Sequence, residues 1–112
     1  MGETRKILGQ MDCAASTTVT ACKITSAYEA IVSSLVFCNR GNATCLCAYL
    51  VSAGDSGEAA DQYLYWDLAI PADDTFVATI GMTLSAGDEI RVAADSTQAS
   101  SVTVTVFGVE IN

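Results

Sequence analysis

Apolar and polar residues alternate with a period of two along most of this chain. In Ser101–Ile111, valine alternates with threonine up to Phe107, and beyond Gly108 the apolar face is continued by Val109 and Ile111. Because successive side chains of a strand point to opposite faces of its sheet, this pattern predicts a half-buried β-strand. The phase changes at Phe107–Gly108, and a glycine at a phase change predicts a β-bulge or a bend.

The same alternation predicts about six further strands, rich in β-branched and aromatic residues. They are Thr17–Ile24, Ala30–Cys38, Thr44–Val51, Gln62–Ile70, Thr75–Ile80 and Glu89–Ala94. Turn sequences precede two of them, at residues 71–74 and 85–88. We interpret Asn39–Ala43 as the loop of a hairpin that joins Ala30–Cys38 to Thr44–Val51.

Two segments lack this alternation. Ser52–Asp61 has two glycines, three acids and no apolar side chain beyond alanine, which predicts a solvated loop. The three-residue steps between Asp55, Glu58 and Asp61 match no calcium-binding loop. The first dozen residues predict an arm or an edge strand, and we take residues 1–12 as an N-terminal arm and 13–112 as one domain.

Seven to eight short antiparallel strands with apolar faces in both halves of the chain predict an all-β fold. The expected architecture is a β-sandwich or jelly roll, in which two sheets pack face to face. An open sandwich has exposed strand edges, and oligomerisation is one way to cover them.

Composition favours a protein that assembles with others. Of its 112 residues, 51% are hydrophobic and 16% are charged, against about 25% charged in typical soluble domains. A surface that is partly buried against partners needs fewer charges. The net charge of −8 argues against direct binding to nucleic acid or to anionic membrane surfaces. With no bilayer-length apolar run and no secretory signal, we expect synthesis in a cytoplasm without export by the usual route.

The residue types argue against an enzyme. There is no histidine, so every mechanism that needs an imidazole base or ligand is excluded. The acidic pairs Asp73–Asp74 and Asp88–Glu89 could serve glycoside hydrolysis, but aspartate in a turn more often caps the local backbone. We therefore predict no catalytic residue, no metal site and no cofactor.

Five cysteines lie in the first half of the chain, and their spacing favours disulfides over zinc. They are Cys13, Cys22, Cys38, Cys45 and Cys47. Cys38 could face Cys45 across the predicted hairpin, while Cys45 and Cys47 share one face of a strand, so only one of them can pair with Cys38. Cys13 and Cys22 could close a second loop, which leaves one cysteine for a bond to another chain. Five buried thiols are the alternative.

The predicted strand Gln62–Ile70 is aromatic. Alternation places Tyr63, Tyr65 and Asp67 on one of its faces and Leu64, Trp66 and Leu68 on the other. Tyr63, Tyr65 and Trp66 could stack on a sugar, or could fill the core on one face and a subunit contact on the other.

Four segments together resemble a family of small virion structural proteins of tailed bacteriophages. They are Val32–Arg40, Ile70–Leu84, Ala86–Val92 and Phe107–Glu110, and the resemblance extends over roughly residues 5–112. It implies a β-sandwich built into the particle, either a capsid decoration (cement) protein or a neck, collar or tail-fibre component. The cysteines at 13, 22, 45 and 47 depart from the family pattern, which suggests reinforcement by disulfides.

From the resemblance we expect a non-enzymatic virion protein that is released by lysis of the host cell. Its expected partners are the major capsid protein, or neck and tail proteins, together with further copies of itself in a homo-oligomer, for which a trimer is favoured. A carbohydrate-binding module that uses the aromatic strand is the alternative from another functional class.

Overall fold

The computed structural model describes residues 2–14, 18–53, 62–94 and 101–112. These residues form nine β-strands: β1 Glu3–Asp12, β2 Val19–Lys23, β3 Glu29–Asn39, β4 Cys45–Ser52, β5 Tyr63–Ile70, β6 Thr75–Ala78, β7 Met82–Leu84, β8 Glu89–Ala94 and β9 Val102–Ile111. The all-β class is thus confirmed. Asp55, Glu58 and Asp61, and most of the predicted loop that holds them, lie outside the described residues.

The strands form two antiparallel sheets. One has the order β1-β9-β3-β6, with β7 also paired to β3, and the other has the order β2-β8-β4-β5. Consecutive strands such as β1 and β2, or β3 and β4, lie in opposite sheets, which is the strand order of a jelly roll. The predicted sandwich is confirmed.

The core lies between the sheets and follows the predicted alternation. Val102, Val104 and Val106 of β9 point inward and are fully buried. They face Ile90 and Val92 of the other sheet within one continuous apolar cluster. Burying a side chain of this size stabilises the fold by about 1.5–3 kcal/mol, so the alternating pattern drives the sheets together.

The first residues form an edge strand of the sandwich. Residues Glu3–Asp12, for which the sequence allows an arm or an edge strand, pair with β9 along its length from Glu3–Ile111 to Asp12–Thr103. The backbone amide of Gly2 also donates to the carbonyl oxygen of Asn112, at 3.2 Å. The apolar residues of β1 are few, so its place in the sheet rests on its pairing with β9.

The predicted hairpin between β3 and β4 is wrong. The two strands belong to different sheets, and residues 40–44 cross from one sheet to the other. The buried Asn39 side chain holds this crossover, because its Nδ2 donates to the carbonyl oxygens of Ala43 (2.9 Å) and Ile70 (3.0 Å). Its Oδ1 accepts from the Gly41 amide at 2.9 Å. Such local amide bonds direct a chain away from ladder pairing.

The predicted β-bulge is present where the phase changes in β9, but its extra residues lie in the neighbouring strands β1 and β3. The register shifts at Leu8 in β1 and at Ser33 in β3, on either side of Phe107–Gly108. A Cβ on Gly108 would lie 2.3 Å from the Ile31 carbonyl oxygen. The glycine therefore permits the close approach of a bulged neighbour.

The two acidic turns have the capping role expected of turn aspartates. The Thr75 amide donates to Asp74 Oδ1 at 2.8 Å, and the Ser85 amide donates to Asp88 Oδ2 at 2.9 Å. Gly87 has a φ of 92°, which glycine adopts readily. The predicted strand Thr75–Ile80 ends at Ala78, and the short β7 that follows it was not predicted.

Candidate interaction surfaces

The outer face of the five-stranded sheet carries exposed apolar side chains, which we name the apolar band. Its most exposed members are Ile7 (48%), Ile31 (45%), Val77 (52%) and Phe107 (39%). They are brought together by strand register, since Phe107 pairs with Ile7, and Val77 pairs with the half-buried Val36. Ile31 pairs with Val109 and Val36 pairs with Thr105, each two residues along β9 from Phe107, so the members of the band are direct or diagonal neighbours on one face.

Polar contacts border one end of the apolar band. There, the Arg40 guanidinium donates to Asp12 Oδ1 at 2.9 Å and to Thr103 Oγ1 at 3.0 Å. The ion pair of Lys6 Nζ with Glu110 Oε1, at 3.4 Å, lies on the opposite face of the sheet, because Lys6 alternates with Ile7 along β1. These pairs are exposed and contribute little to stability. An apolar centre with a polar rim is the usual layout of a protein–protein interface.

The faces predicted for β5 are wrong, because its alternation is broken twice. Cys47 pairs with Leu68, Tyr49 with Tyr65 and Leu50 with Tyr63, so β5 has one extra residue in each interval. Asp67 lies at a φ of 53°, in the left-handed region, at one of these bulges. As a result Tyr65 turns toward Tyr49 and Phe76, with ring centroids 5.2 and 5.5 Å away.

The bulges place Tyr63 and Trp66 together on the outer face of the four-stranded sheet. Their rings meet edge to face, with centroids 4.7 Å apart at 89°. Trp66 is 66% exposed, the highest value among the large hydrophobic side chains described. The two rings border a concave region of about 200 Å³, which we name the aromatic groove. Its other lining residues are Leu46, Cys47, Ala48, Asp67, Ala93 and Ala94.

The five cysteines are present as thiols, and the structure does not support the pairing based on the hairpin. Cys45 and Cys47 share the inner face of β4 with their Sγ atoms 3.8 Å apart. Cys38 lies half-buried on the outer face of β3, where its strand partners are Thr75 and Thr103. Cys38 and Cys45 therefore do not face each other.

Burial keeps two of the thiols protonated. It raises the pKa of Cys13 to about 12, with smaller contributions from the charges of Cys45 and Asp12. Burial also raises the pKa of Cys22, helped by the charge of Glu110. Because the thiolate is the reactive form, these two side chains are inert core residues in the folded chain.

Glu89, the most buried acidic side chain among the described residues, is structural. Burial raises the pKa of Glu89, but hydrogen bonds from Thr20 and Arg91 and the charges of Arg91 and Lys23 outweigh it and lower the pKa overall. Thr20 Oγ1 donates to Glu89 Oε1 at 2.8 Å. A carboxyl held ionised in this way is unsuited to act as a general acid.

Two further kinds of site are absent from the described part of the chain. No group of three or more histidine, cysteine or acidic side chains is placed there to hold a metal ion. Nor do residues 2–14, 18–53, 62–94 and 101–112 contain a helix with the length and apolar character of a membrane span.

The comparisons with known proteins bear on the fold. No family model matches the chain. No curated protein is similar to it. A chain in the structure of infectious bursal disease virus, Gx strain, is similar to it with a TM-score of 0.54 and 13% sequence identity. The match covers 97% of this chain and 32% of that one, so this chain spans about a third of the length of its neighbour.

Proposed function

We propose that this chain is a non-enzymatic structural protein of a virus particle, which acts by binding other protein chains of the particle. The observation that carries the proposal is the apolar band, an apolar face on the outside of a sheet whose inner face already fills the core. Exposed apolar faces often mark contacts with other chains, which bury them.

The fold and its structural neighbour support the viral part of the proposal. Jelly rolls occur in viral capsids and also in lectins and cupins, so the topology alone does not assign a function. The similarity to a chain of infectious bursal disease virus over nearly the whole length of this chain makes the virion the preferred setting.

The more specific form of the proposal is a capsid decoration protein of a tailed bacteriophage, bound to the major capsid protein as a homo-oligomer, with a trimer favoured. It rests on the sequence resemblance described above and on the low share of charged residues, 16%. Decoration stabilises a shell because each copy buries area against several subunits. A neck, collar or tail-fibre component is the alternative, and it would use the same face.

Copy number separates these alternatives. Purified particles would be analysed by quantitative mass spectrometry, with the major capsid protein as the internal standard. We expect hundreds of copies per particle for a decoration protein, and about six to thirty-six for a neck or tail component. Absence of the chain from purified particles would overturn the proposal in both forms.

A charge placed in the apolar band tests the assembly face directly. Val77→Lys is expected to abolish incorporation into particles, or self-association of the purified chain, because burying an unpaired ammonium is costly. Leu64→Lys on β5 is the matched control, since Leu64 is 45% exposed and lies on the other sheet. Both variants should keep the unfolding midpoint of the parent. Loss of assembly to the same extent in both variants, or no loss in either of them, would contradict the proposed face.

Cys38 is the cysteine best placed for a bond to another chain. It is half-buried on the outer side of β3, two residues from Val36 in the apolar band, whereas the other four cysteines are buried. If copies are linked covalently in released particles, non-reducing electrophoresis will show a band of higher mass that Cys38→Ser removes. A ladder that persists in Cys38→Ser and disappears only with another cysteine would refute this assignment.

The carbohydrate-binding alternative depends on the aromatic groove alone. We treat that groove as one site on the molecule and not as the function of the whole chain, because the apolar band on the opposite sheet has no part in it.

A further inference from the structure

We propose that the aromatic groove binds a single neutral pyranose ring of a glycan. The inference goes beyond the structural role and does not depend on it, because the groove and the apolar band lie on the outer faces of different sheets. Three features of the groove carry the inference: the exposed indole, the carboxylate beside it and the size of the concavity.

The indole of Trp66 is held as a platform. The edge-to-face contact with Tyr63, at 4.7 Å and 89°, fixes the ring orientation while 66% of the side chain stays exposed. Aromatic side chains have few rotatable bonds, so a ring held this way loses little entropy when a ligand covers it. The apolar face of a pyranose, formed by its C–H groups, matches such a platform.

Asp67 supplies the polar contact that a sugar requires. Its carboxylate makes no hydrogen bond or ion pair with the described part of the chain, and it lines the groove next to Trp66. Carboxylate oxygens only accept hydrogen bonds, which sugar hydroxyls can donate. The negative charge disfavours sialic and uronic acids, so neutral sugars are expected.

The backbone conformation of Asp67 exposes both Trp66 and the Asp67 carboxylate in the aromatic groove. A non-glycine residue at a φ of 53° is strained by an amount of order 1 kcal/mol, and such strain is found preferentially at functional sites. Here the strained residue is also the one that breaks the alternation of β5 and brings Trp66 to the outer face. One backbone feature therefore positions both the indole and the carboxylate.

The concavity fits one ring. Its volume of about 200 Å³ is below the roughly 300–1,000 Å³ of pockets that enclose drug-sized ligands. Ala48 and Ala93 line it with small side chains, which leaves room for a ring lying against the indole. A purely apolar ligand would desolvate Asp67 without compensation. A guanidinium group would pair with Asp67, but its remaining N–H donors would lie against Leu46 and the alanines without hydrogen-bond acceptors.

The test uses the fact that Trp66 is the chain's one tryptophan, so its fluorescence reports on this site alone. The full chain is titrated with the methyl glycosides of glucose, galactose, mannose and N-acetylglucosamine, and separately with sialic acid and arginine amide. We expect a saturable blue shift with at least one neutral glycoside, with a Kd of about 1 mM, as for a single-ring site with few contacts.

Variants identify the contributing groups on an array of neutral and sialylated glycans. Trp66→Ala should abolish binding, Trp66→Phe should retain a part of it, and Asp67→Asn should weaken it by about tenfold through loss of charged acceptors. Asparagine tolerates the left-handed region, so this variant keeps the backbone of the bulge. Thr25→Ala, an exposed change between β2 and β3 that belongs to neither surface, should bind as the parent does.

Several outcomes would overturn the proposal. They are no response to any neutral glycoside in solution or on the array, binding confined to sialylated glycans, a response to arginine amide alone, or equal binding by Asp67→Asn and the parent. Circular dichroism and unfolding midpoints equal to those of the parent ensure that a loss in Trp66→Ala is a loss of binding. Failure of glycan binding would not change the result of the copy-number test, and absence of the chain from particles would not change the result of the glycan test.

Discussion

At the scale of single residues, Gly9 determines how closely the two sheets approach at the edge formed by β1 and β2. A Cβ built on Gly9 would lie 1.8 Å from the carbonyl oxygen of Ala21 and 2.9 Å from its carbonyl carbon. These are backbone atoms, so they cannot rotate away as the end of a flexible side chain could. The absence of a side chain at Gly9 is therefore a packing requirement.

We expect Gly9→Ala to destabilise the chain by at least the upper part of the range of about 1–3 kcal/mol that overpacking usually costs. Gly81→Ala is the control, because a Cβ there meets no atom within 4 Å. Urea unfolding monitored by circular dichroism measures both. Equal unfolding midpoints for the two variants would show that the sheet edges can separate without cost.

Glu89 gives the stability of the chain a dependence on pH. Its pKa is lowered in the folded state, so the stabilisation it provides is complete above the ordinary glutamate range and is lost as the pH falls through the lowered value. At neutral pH, Glu89→Gln should be less stable than the parent by about 1–3 kcal/mol, as for hydrogen bonds to charged groups.

The pH profile distinguishes this role from simple packing. The difference between the parent and Glu89→Gln should shrink as the pH falls below the ordinary glutamate range and through the lowered pKa, where the parent carboxyl protonates. Glu110→Gln, which removes the exposed ion pair with Lys6, is the control and should cost little at any pH. A difference for Glu89→Gln that stays constant down to pH 2 would exclude the charge as its cause.

At the scale of elements, β5 shows how one residue can change which face of the sheet the following side chains occupy. Asp67 adopts a left-handed conformation, and the side chains on either side of it exchange faces relative to a regular strand. We expect Asp67→Gly to leave stability unchanged or raise it by up to about 1 kcal/mol, since glycine adopts this φ without strain.

A β-branched residue at the same position should have the opposite effect. Asp67→Val is expected to destabilise the chain by about 1–3 kcal/mol, or to shift the register and turn Trp66 inward. Thermal unfolding measures the first outcome, and a blue-shifted tryptophan emission reports the second. A valine variant with the stability and emission of the parent would mean that the bulge does not depend on residue 67.

The elements that sequence predicted best are those whose pattern is purely local. Glu89–Ala94 was predicted with the boundaries that the structure shows, and Val102–Ile111 differs by one residue, because apolar and polar residues alternate along most of their length. The faces of β5 were mispredicted because a left-handed aspartate leaves no signal in hydropathy. The hairpin was mispredicted because neighbouring strands in sequence can enter either sheet, and here the buried Asn39 directs the crossover.

The candidate surfaces depend on non-local geometry in the same way. The aromatic residues were identified from the sequence, but only the bulges of β5 separate Tyr65 from Tyr63 and Trp66. The apolar band was not identified, because its members come from β1, β3, β6 and β9 and look like ordinary strand residues. Only the strand order β1-β9-β3-β6 places them side by side.

At the scale of the whole molecule, the net charge of −8 opposes the assembly that the apolar band favours. Copies of the chain repel one another at low salt, and added salt screens that repulsion while leaving apolar contacts intact. We expect self-association, measured by analytical ultracentrifugation, to strengthen between about 20 and about 500 mM NaCl. Val77→Lys should lose this response, and association that weakens with salt would indicate an interface held by ion pairs.

The position of β9 has a consequence for how the chain is made. This strand lies between β1 and β3, and the pair Glu3–Ile111 joins residues more than a hundred positions apart. During translation, β1 and β3 therefore lack the strand that pairs with both of them until β9 has been synthesised. Their apolar faces stay exposed until then. Biosynthesis of this chain should depend on protection of the nascent strands until translation reaches β9.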